Sequence, residues 1–218
     1  MNTVAIVGNG PAELLADLKS FGPYVDKWIG ADLGAYRIVS AGLPLTYALG
    51  DFDSGNDEEN AVIRKYAEQL EKYPSEKDET DMEIAISKAI SLKPERLFLF
   101  GVTGGRLDHE IINVQQLFLL KERGISGIIA DRSNILEMAY PGIHEVEEDV
   151  DYPYISFLPF SGEVRGITLE GFHYPLEKKD IGWGSTLCIS NRLLSKTGTF
   201  SFEKGILLIV KSRDAIQE

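Results

Sequence analysis

The first two-thirds of the chain alternates short apolar runs with longer amphipathic ones. "TVAIVG" (3–8), "KWIGAD" (27–32), "LTYALGD" (45–51), "RLFLFGV" (96–102) and "GIIAD" (127–131) read as strands. Each is a short apolar run, with a Gly or Asp closing it, the pattern of a strand buried on both faces. Between them, "PAELLADLKSF" (11–21), "GAYRIVSAG" (34–42), "EENAVIRKYAEQLEKY" (58–73), "DMEIAISKAISL" (81–92) and "DHEIINVQQLFLLKERG" (108–124) predict helices. Strands alternating with helices imply parallel crossovers and a sheet covered on both sides.

The texture changes near residue 130. "NILEMAY", "YISFLPF", "GEVRGITLEG", "STLCISNRLL", "GTFSFEKG" and "GILLIVKS" are short strand-like runs separated by Gly, Pro and Asn turns. That predicts an all-β antiparallel sandwich. The expected fold is therefore an α/β N-terminal domain with a mostly parallel sheet flanked by helices, residues 1–132, followed by a smaller all-β C-terminal domain, residues 133–218.

Composition narrows the class. Of 218 residues, 44% are hydrophobic and 26% charged, the profile of a globular chain rather than a disordered one. No apolar run reaches the roughly 18 residues of a spanning helix, and "MNTVAIVGNG" has no basic, cleavable leader, so no membrane role and a cytoplasmic location are expected. The lone Cys188 excludes an internal disulfide and a cysteine-based zinc cluster. A net charge of −12 argues against nucleic-acid binding, which depends on clustered Lys and Arg. So acidic a protein handling an anionic substrate needs bridging cations.

In an open α/β sheet ligands bind beyond the carboxyl ends of the strands. "GNGP", "GADLGA", "GDFDSG" and "GVTGGRLDH" all follow strands, and "EKDETD" opens a helix. These place Asp32, Asp51 with Asp53, Asp78 with Asp81, and Asp108 toward one sheet edge. Gathering so many carboxylates is costly unless cations neutralise them, and Mg2+ takes carboxylate and phosphate oxygens together. Alone, D-x-D also fits a plain turn. An EF-hand fails on spacing, since Asn56 and Val62 stand where Gly and Glu are needed. "NDEEN" reads as the acidic first turn of a helix, and Thr80 with Glu83 as a capping box. "GNG" offers amides to a phosphate or simply turns the chain; Glu13 replaces the third glycine of a dinucleotide fingerprint, and no P-loop occurs. In "TGGRLDHEIIN" the glycine pair allows close backbone approach and Arg106 supplies a planar fork for phosphate. Arg106, His109 and Asn113 share one helical face, with Leu107, Ile111, Val114 and Phe118 expected as the core stripe.

Taken in order, "GADLGAYRIVSAGLPLTYALGDFDS", "KDETD", "GGRLDH" with Asn113, and "ISN" in the β tail resemble the thiamin diphosphokinase (thiamin pyrophosphokinase) family over nearly the whole length. The resemblance implies ATP- and Mg2+-dependent transfer of a diphosphoryl group to the hydroxyl of thiamin, releasing AMP. It implies a homodimer whose active site lies at the subunit interface, between the α/β domain of one subunit and the β domain of the other. By motif, Asp51, Asp53 and Asp81 become the metal carboxylates. Asp32, Asp78, Arg106 and Asp108 become catalytic and phosphate-contacting positions, and Lys77, Thr80, His109, Asn113, Ser190 and Asn191 substrate-binding ones. Asp78 or Asp32 could accept the thiamin hydroxyl proton or hold the cationic thiazolium. Trp183 either stacks on thiamin or is a core or dimer-contact aromatic. Leu33 replaces a usual glycine and Arg192 an often acidic residue, which bear on the backbone beside Asp32 and on the rim of the thiamin pocket. The competing classes are a D-x-D metal-dependent phosphohydrolase and a non-enzymatic nucleotide-binding module.

Overall fold

The structure is a computed structural model that describes residues 2–53, 55–74 and 78–214. The chain divides into two compact units, Met1–Arg132 and Ser133–Glu218.

In the first unit six strands are all parallel: β1 (Thr3–Val7), β2 (Lys27–Ala31), β3 (Leu45–Gly50), β4 (Ala67–Lys72), β5 (Arg96–Phe100) and β6 (Ser126–Ala130). Their order is β4-β3-β2-β1-β5-β6. Every residue of β1 is buried, so both faces of the sheet are covered at its centre. Among the described residues, five α-helices connect the strands: α1 (Leu18–Phe21), α2 (Gly34–Ser40), α3 (Asp57–Tyr66), α4 (Asp81–Ser91) and α5 (Leu107–Glu122). Strand order runs one way from β1 through β2 to β4 and the other way through β5 and β6. The β1/β5 boundary is thus the topological switch point, where such sheets open a crevice.

Three expectations change in this unit. The long helix expected over 58–73 stops at Tyr66, and the same stretch continues as β4. Ala67 donates its amide to Ile63 O as the last helical bond, yet takes φ −69° and ψ 126° and pairs with Leu45. "AEQLEK" is made of good helix formers, but the open edge of β3 satisfies its backbone groups, so tertiary pairing overrides local propensity. The helix expected over 11–21 splits into a 3₁₀ turn at Ala12–Leu14 and the single turn α1, capped by Asp17, whose carboxylate accepts from the Lys19 amide at 3.1 Å. On α5 the buried face is Asn113, Leu117 and Leu120, whereas Leu107 and Ile111 are exposed. The expected core stripe is therefore rotated: Asn113, expected on the polar face, turns inward with Leu117 and Leu120, and its amide donates to Val102 O.

The second unit holds β7 (Asn134–Ala139), β8 (Gly142–Glu147), β9 (Tyr154–Pro159), β10 (Glu163–Glu170), β11 (Leu176–Gly182), β12 (Thr197–Phe202) and β13 (Leu207–Ser212). β13 pairs antiparallel with β7 on one side and β9 on the other, and a four-stranded antiparallel sheet runs β11-β10-β12-β8. Their apolar faces meet in a core that includes Phe157, Phe172, Phe200 and Phe202, with Phe157 edge-on to Phe172 at 5.6 Å. β8 and β11 were not anticipated. They are the two edges of the four-stranded sheet, where charged sequences such as "LEKKDIG" lack apolar alternation. Conversely, 185–194 forms turns joined by the isolated bridges Ile155↔Asn191 and Phe172↔Leu193, not a strand. Among the described residues no helix is long and apolar enough to cross a membrane.

Candidate active site

The carboxyl ends of β1, β2, β3 and β5 surround a cleft of about 590 Å³ in the first unit. "GNG" leaves β1 as a tight crossing over the β5 end: the Gly8 amide donates to Phe100 O and the Gly10 amide to Gly101 O, both at 2.8 Å. A Cβ at Gly10 would lie 2.7 Å from Gly101 O, so glycine is required by this approach. Those two amides are committed to the backbone, and the stretch is a structural crossing rather than a phosphate cradle built on them. Arg37 of α2 donates to Gly8 O at 3.4 Å from behind; burial lowers its pKa and the charge of Glu13 opposes that.

Asp32 follows β2 with φ 50°, the left-handed region, its amide bonded to Leu49 O at 2.9 Å. The unusual backbone thus falls on Asp32 itself. Leu33 has φ −63° and ψ −14°, which any residue adopts, so the departure from glycine leaves this path intact. Asp32 Oδ1 is buried and, among the described residues, has no hydrogen-bond partner. Its pKa is raised from 3.8 to about 7, first by burial, then by the negative charge of Asp81 and a side-chain hydrogen bond with it, then by the charge of Asp51, with the Phe52 amide opposing.

After β3, Gly50 has φ 146°, Phe52 has φ 60°, and the Asp53 amide donates to Asp51 Oδ1 at 3.1 Å. Asn60 of α3 clamps this turn by donating to Phe52 O at 3.1 Å and Gly55 O at 3.2 Å. The acidic "NDEEN" is a helix start as expected, with a capping box that the sequence reading missed: Asn56 and Glu59 exchange bonds of 2.9 Å with each other's amides. The Thr80–Glu83 capping box is present too, with Glu83 N to Thr80 Oγ1 at 3.2 Å and Thr80 N to Glu83 Oε2 at 2.9 Å. It places Asp81 at the first position of α4.

At the start of α5, Arg106 makes a two-pronged pair with Asp108, Nε to Oδ1 at 3.1 Å and Nη2 to Oδ2 at 2.5 Å. Asp108 also accepts the His109 amide at 3.0 Å; the Arg106 pair, first, lowers its pKa to about 2. Asn113 donates to Val102 O at 3.0 Å, pinning the loop that carries the glycine pair. Thr103 donates to the buried Asp131 at 2.8 Å.

Of the residues singled out from the sequence, Asp32, Asp51, Thr80, Asp81, Arg106, His109 and Asn113 line this one cleft. Asp53, Asp78 and Asp108 are exposed and stand outside its wall, and Lys77 lies outside the described residues. Sequence reasoning missed Glu79, Glu110 and Asn9 in the wall and Asp131 beneath it. Glu110 was findable one helical turn after Arg106, and Asp131 as the residue closing β6. Among the described residues no three acidic, His or Cys side chains are gathered into a preformed metal cage. The residues nonetheless fit Mg2+: Asp32 presents an unpartnered buried oxygen under repulsion from Asp51 and Asp81, and Mg2+ commonly takes only one or two carboxylates, completing its shell with water and phosphate.

In the second unit Ser190 has φ 55° and is exposed, its amide held by Ser156 Oγ at 2.9 Å. Asn191 is buried, and its side chain grips Tyr174 N, Tyr174 O and Arg192 N at 2.9 to 3.0 Å. That side chain has its hydrogen bonds supplied from within the unit, which makes Asn191 a holder of the Ser190 turn and of Tyr174. Tyr174 and Trp183 are 68% and 74% exposed, so Trp183 is not a core residue of its own unit. Arg192 lies over the Tyr154 ring at 4.2 Å.

Residues 21–129 match the family model of the thiamin pyrophosphokinase catalytic domain, and residues 143–207 match that of the thiamin pyrophosphokinase vitamin B1 binding domain. The chain is 42% identical over 214 residues to the thiamine pyrophosphokinase of Bacillus subtilis, covering 98% of this chain and all of that one. The crystal structure of the thiamine pyrophosphokinase from Bacillus subtilis superposes with a TM-score of 0.90 at 41% identity, over 98% of this chain and 100% of that one. That of the thiamin pyrophosphokinase from Geobacillus thermodenitrificans superposes at 0.87 and 43%, over 98% of each. A thiamin pyrophosphokinase from Candida albicans, 14% identical, shares the fold at a TM-score of 0.77 over 97% of this chain and 89% of that one. With both family models matched in order and a full-length relative well above 30% identity, the chain belongs to the thiamin pyrophosphokinase family.

Proposed function

We propose that this protein transfers a diphosphoryl group from ATP to the hydroxyl of thiamin, giving thiamin diphosphate and AMP. The observation that carries the reading in the structure is the unpartnered, buried Asp32 Oδ1 beside Asp51 and Asp81, in a cleft that also holds Arg106. Such a site is short of positive charge, and a cation brought with a polyphosphate supplies it. Asp51, Asp53 and Asp81 would hold Mg2+, whose chemistry here is to neutralise the polyphosphate and orient it.

The chain's own residues do the rest. Diphosphoryl transfer asks mainly for in-line positioning and charge stabilisation. Arg106 reaches the phosphates after exchanging Asp108 for them, and Asn113 keeps the glycine loop in place by its bond to Val102 O. Asp32, with its pKa near 7, is the cleft group suited to take the hydroxyl proton or to face the cationic thiazolium. Asp78 and Lys77, on the approach to α4, and Thr80 and His109 are proposed substrate contacts. Asp108 acts through Arg106.

On this reading residues 1–132 form the ATP- and Mg2+-binding catalytic domain, and 133–218 the thiamin-binding and dimerisation domain. The homodimer sets Ser190, Tyr174 and Trp183 of one subunit over the cleft of its partner. ATP, Mg2+ and the free thiol of Cys188 suit the cytoplasm.

Incubation with ATP, Mg2+ and thiamin, with AMP and thiamin diphosphate quantified, tests the proposal. Thiamin-dependent AMP is expected. Phosphate release without thiamin would mark a D-x-D phosphohydrolase, and nucleotide binding without turnover a non-enzymatic module.

A further inference from the structure

Outside the cleft, one charged cluster joins two elements that carry cleft carboxylates. Lys88 of α4 lies two turns along from Asp81, and its ammonium pairs with Glu71 Oε1 of β4 at 2.5 Å. Tyr73 OH donates to Glu71 Oε2 at 2.8 Å, and Lys88 Nζ sits 4.3 Å from the centre of the Tyr47 ring on β3. The Tyr73 amide in turn donates to Gly50 O at 3.1 Å, one residue before Asp51. A continuous path therefore runs from the helix of Asp81, through Lys88, Glu71 and Tyr73, to the turn of Asp51. Glu71 and Lys88 keep only 32% and 24% of their side-chain surface exposed, so the pair is better shielded than an open surface pair.

β4 needs such a fastening. It is an edge strand of helix-forming residues, most of them exposed, continuing α3 without a loop. Its competing conformation is the extended helix that its sequence favours, and in that conformation the bond from Tyr73 to Gly50 O is lost.

We propose that Glu71 is a positioning residue for the reaction: by tying Lys88 of α4 to Tyr73 at the end of β4, it sets the separation of Asp81 from the Asp51 turn. This rests on the reading that Asp51 and Asp81 hold the cation of the polyphosphate. No substrate contact by Glu71 is involved.

The test uses the full-length protein with Glu71→Gln, which keeps an acceptor for Tyr73; Lys88→Met, which keeps an apolar stem over Tyr47; and the charge reversal E71K/K88E. Three quantities are read: hydrogen exchange at the Tyr73 amide, binding of Mn2+ with a non-hydrolysable ATP analogue in the absence of thiamin, and the thiamin KM. Each single variant is expected to exchange faster at Tyr73 and to weaken Mn2+–nucleotide binding about tenfold, as loss of supporting contacts does. Thiamin KM stays constant, and the reversal, which restores the ion pair but leaves no acceptor for the Tyr73 hydroxyl at position 71, recovers only part of the loss. Cation binding unchanged in both single variants, with or without a lower Tm, overturns the inference. Asp51→Asn is measured alongside. If it binds Mn2+–nucleotide like the unmodified protein, the cation reading fails and this inference with it; if it loses binding while Glu71→Gln keeps it, only the positioning role fails.

Discussion

Gly50 and Asp32 meet so closely that a Cβ on Gly50 would stand 2.0 Å from Asp32 Oδ1. The last residue of β3 is thus the floor on which the carboxylate following β2 rests. Its φ of 146° adds a second reason for glycine.

Gly50→Ala is therefore expected to displace Asp32 rather than to be absorbed. A shift of about 1 Å at a reacting group costs on the order of 100-fold in rate. Activity should fall by that much with Tm only modestly lower. Wild-type turnover in Gly50→Ala would show that Asp32 tolerates displacement and is not a participant.

The raised pKa of Asp32 makes a signed prediction. Its carboxyl is protonated more readily in the folded chain, about 7 against 3.8, so its favourable contribution is complete below pH 4 and is lost as pH rises through 7. Above that, a charged buried carboxylate burdens the fold. The full linkage would be about 4 kcal/mol, which partial exposure reduces to about 2 kcal/mol. Asp32→Asn should consequently melt about 5 °C higher than the unmodified protein at pH 8 and at the same temperature at pH 4. Added Mg2+ with nucleotide should shrink the difference at pH 8. Parallel melting profiles across pH would contradict the environment assigned to Asp32.

Arg106 and Asp108 should behave as one unit. Arg106→Ala removes the fork proposed for the phosphates and should lower kcat/KM by about 100- to 1,000-fold. Asp108→Asn leaves Arg106 in place but unaligned, for a loss of about tenfold. The two losses should not multiply in the double variant. Because both side chains are exposed, Tm should not move in either. Multiplicative losses would mean that Asp108 meets substrate directly.

Sharing of the active site across a dimer is read by complementation. Asn191 is a poor probe, since Asn191→Ala strands two amides and a carbonyl and should cost about 3 kcal/mol of stability. Ser190→Arg, at an exposed position, is better suited. Mixed with Asp53→Asn after subunit exchange, it should restore about a quarter of wild-type activity: half the dimers are mixed, and each has one intact site of two. No recovery despite verified exchange would place each site within one subunit.

Much of this site is local chemistry, which is why the sequence displays it. Residues that close a parallel strand stand at the sheet's carboxyl edge whatever the details, so Asp32 and Asp51 could be singled out before any contact was known, and Arg106 by the glycine pair before it. The capping box at Thr80 is equally local, needing only a three-residue spacing. Glu110 escaped because an acidic residue in a first helical turn has a sufficient local explanation, and Glu79 because it lies just before the cap Thr80, outside the capping box. What holds Asn191 was not legible because its partners are Tyr174, distant in sequence, and its own neighbour's backbone, neither of which leaves a pattern.

The sequence by itself determined the α/β-then-β order and three of the cleft's carboxylates, Asp32, Asp51 and Asp81, since period and spacing are properties of a segment. Tertiary structure decided where "EENAVIRKYAEQLEKY" ceases to be a helix, which face of α5 turns inward, that the amides of "GNG" serve the backbone, and how far Asp32 is driven toward its protonated form. Each of these depends on what a segment meets: an open strand edge, a carbonyl needing a donor, or two further carboxylates brought within range by a strand end and a helix start that are distant along the chain.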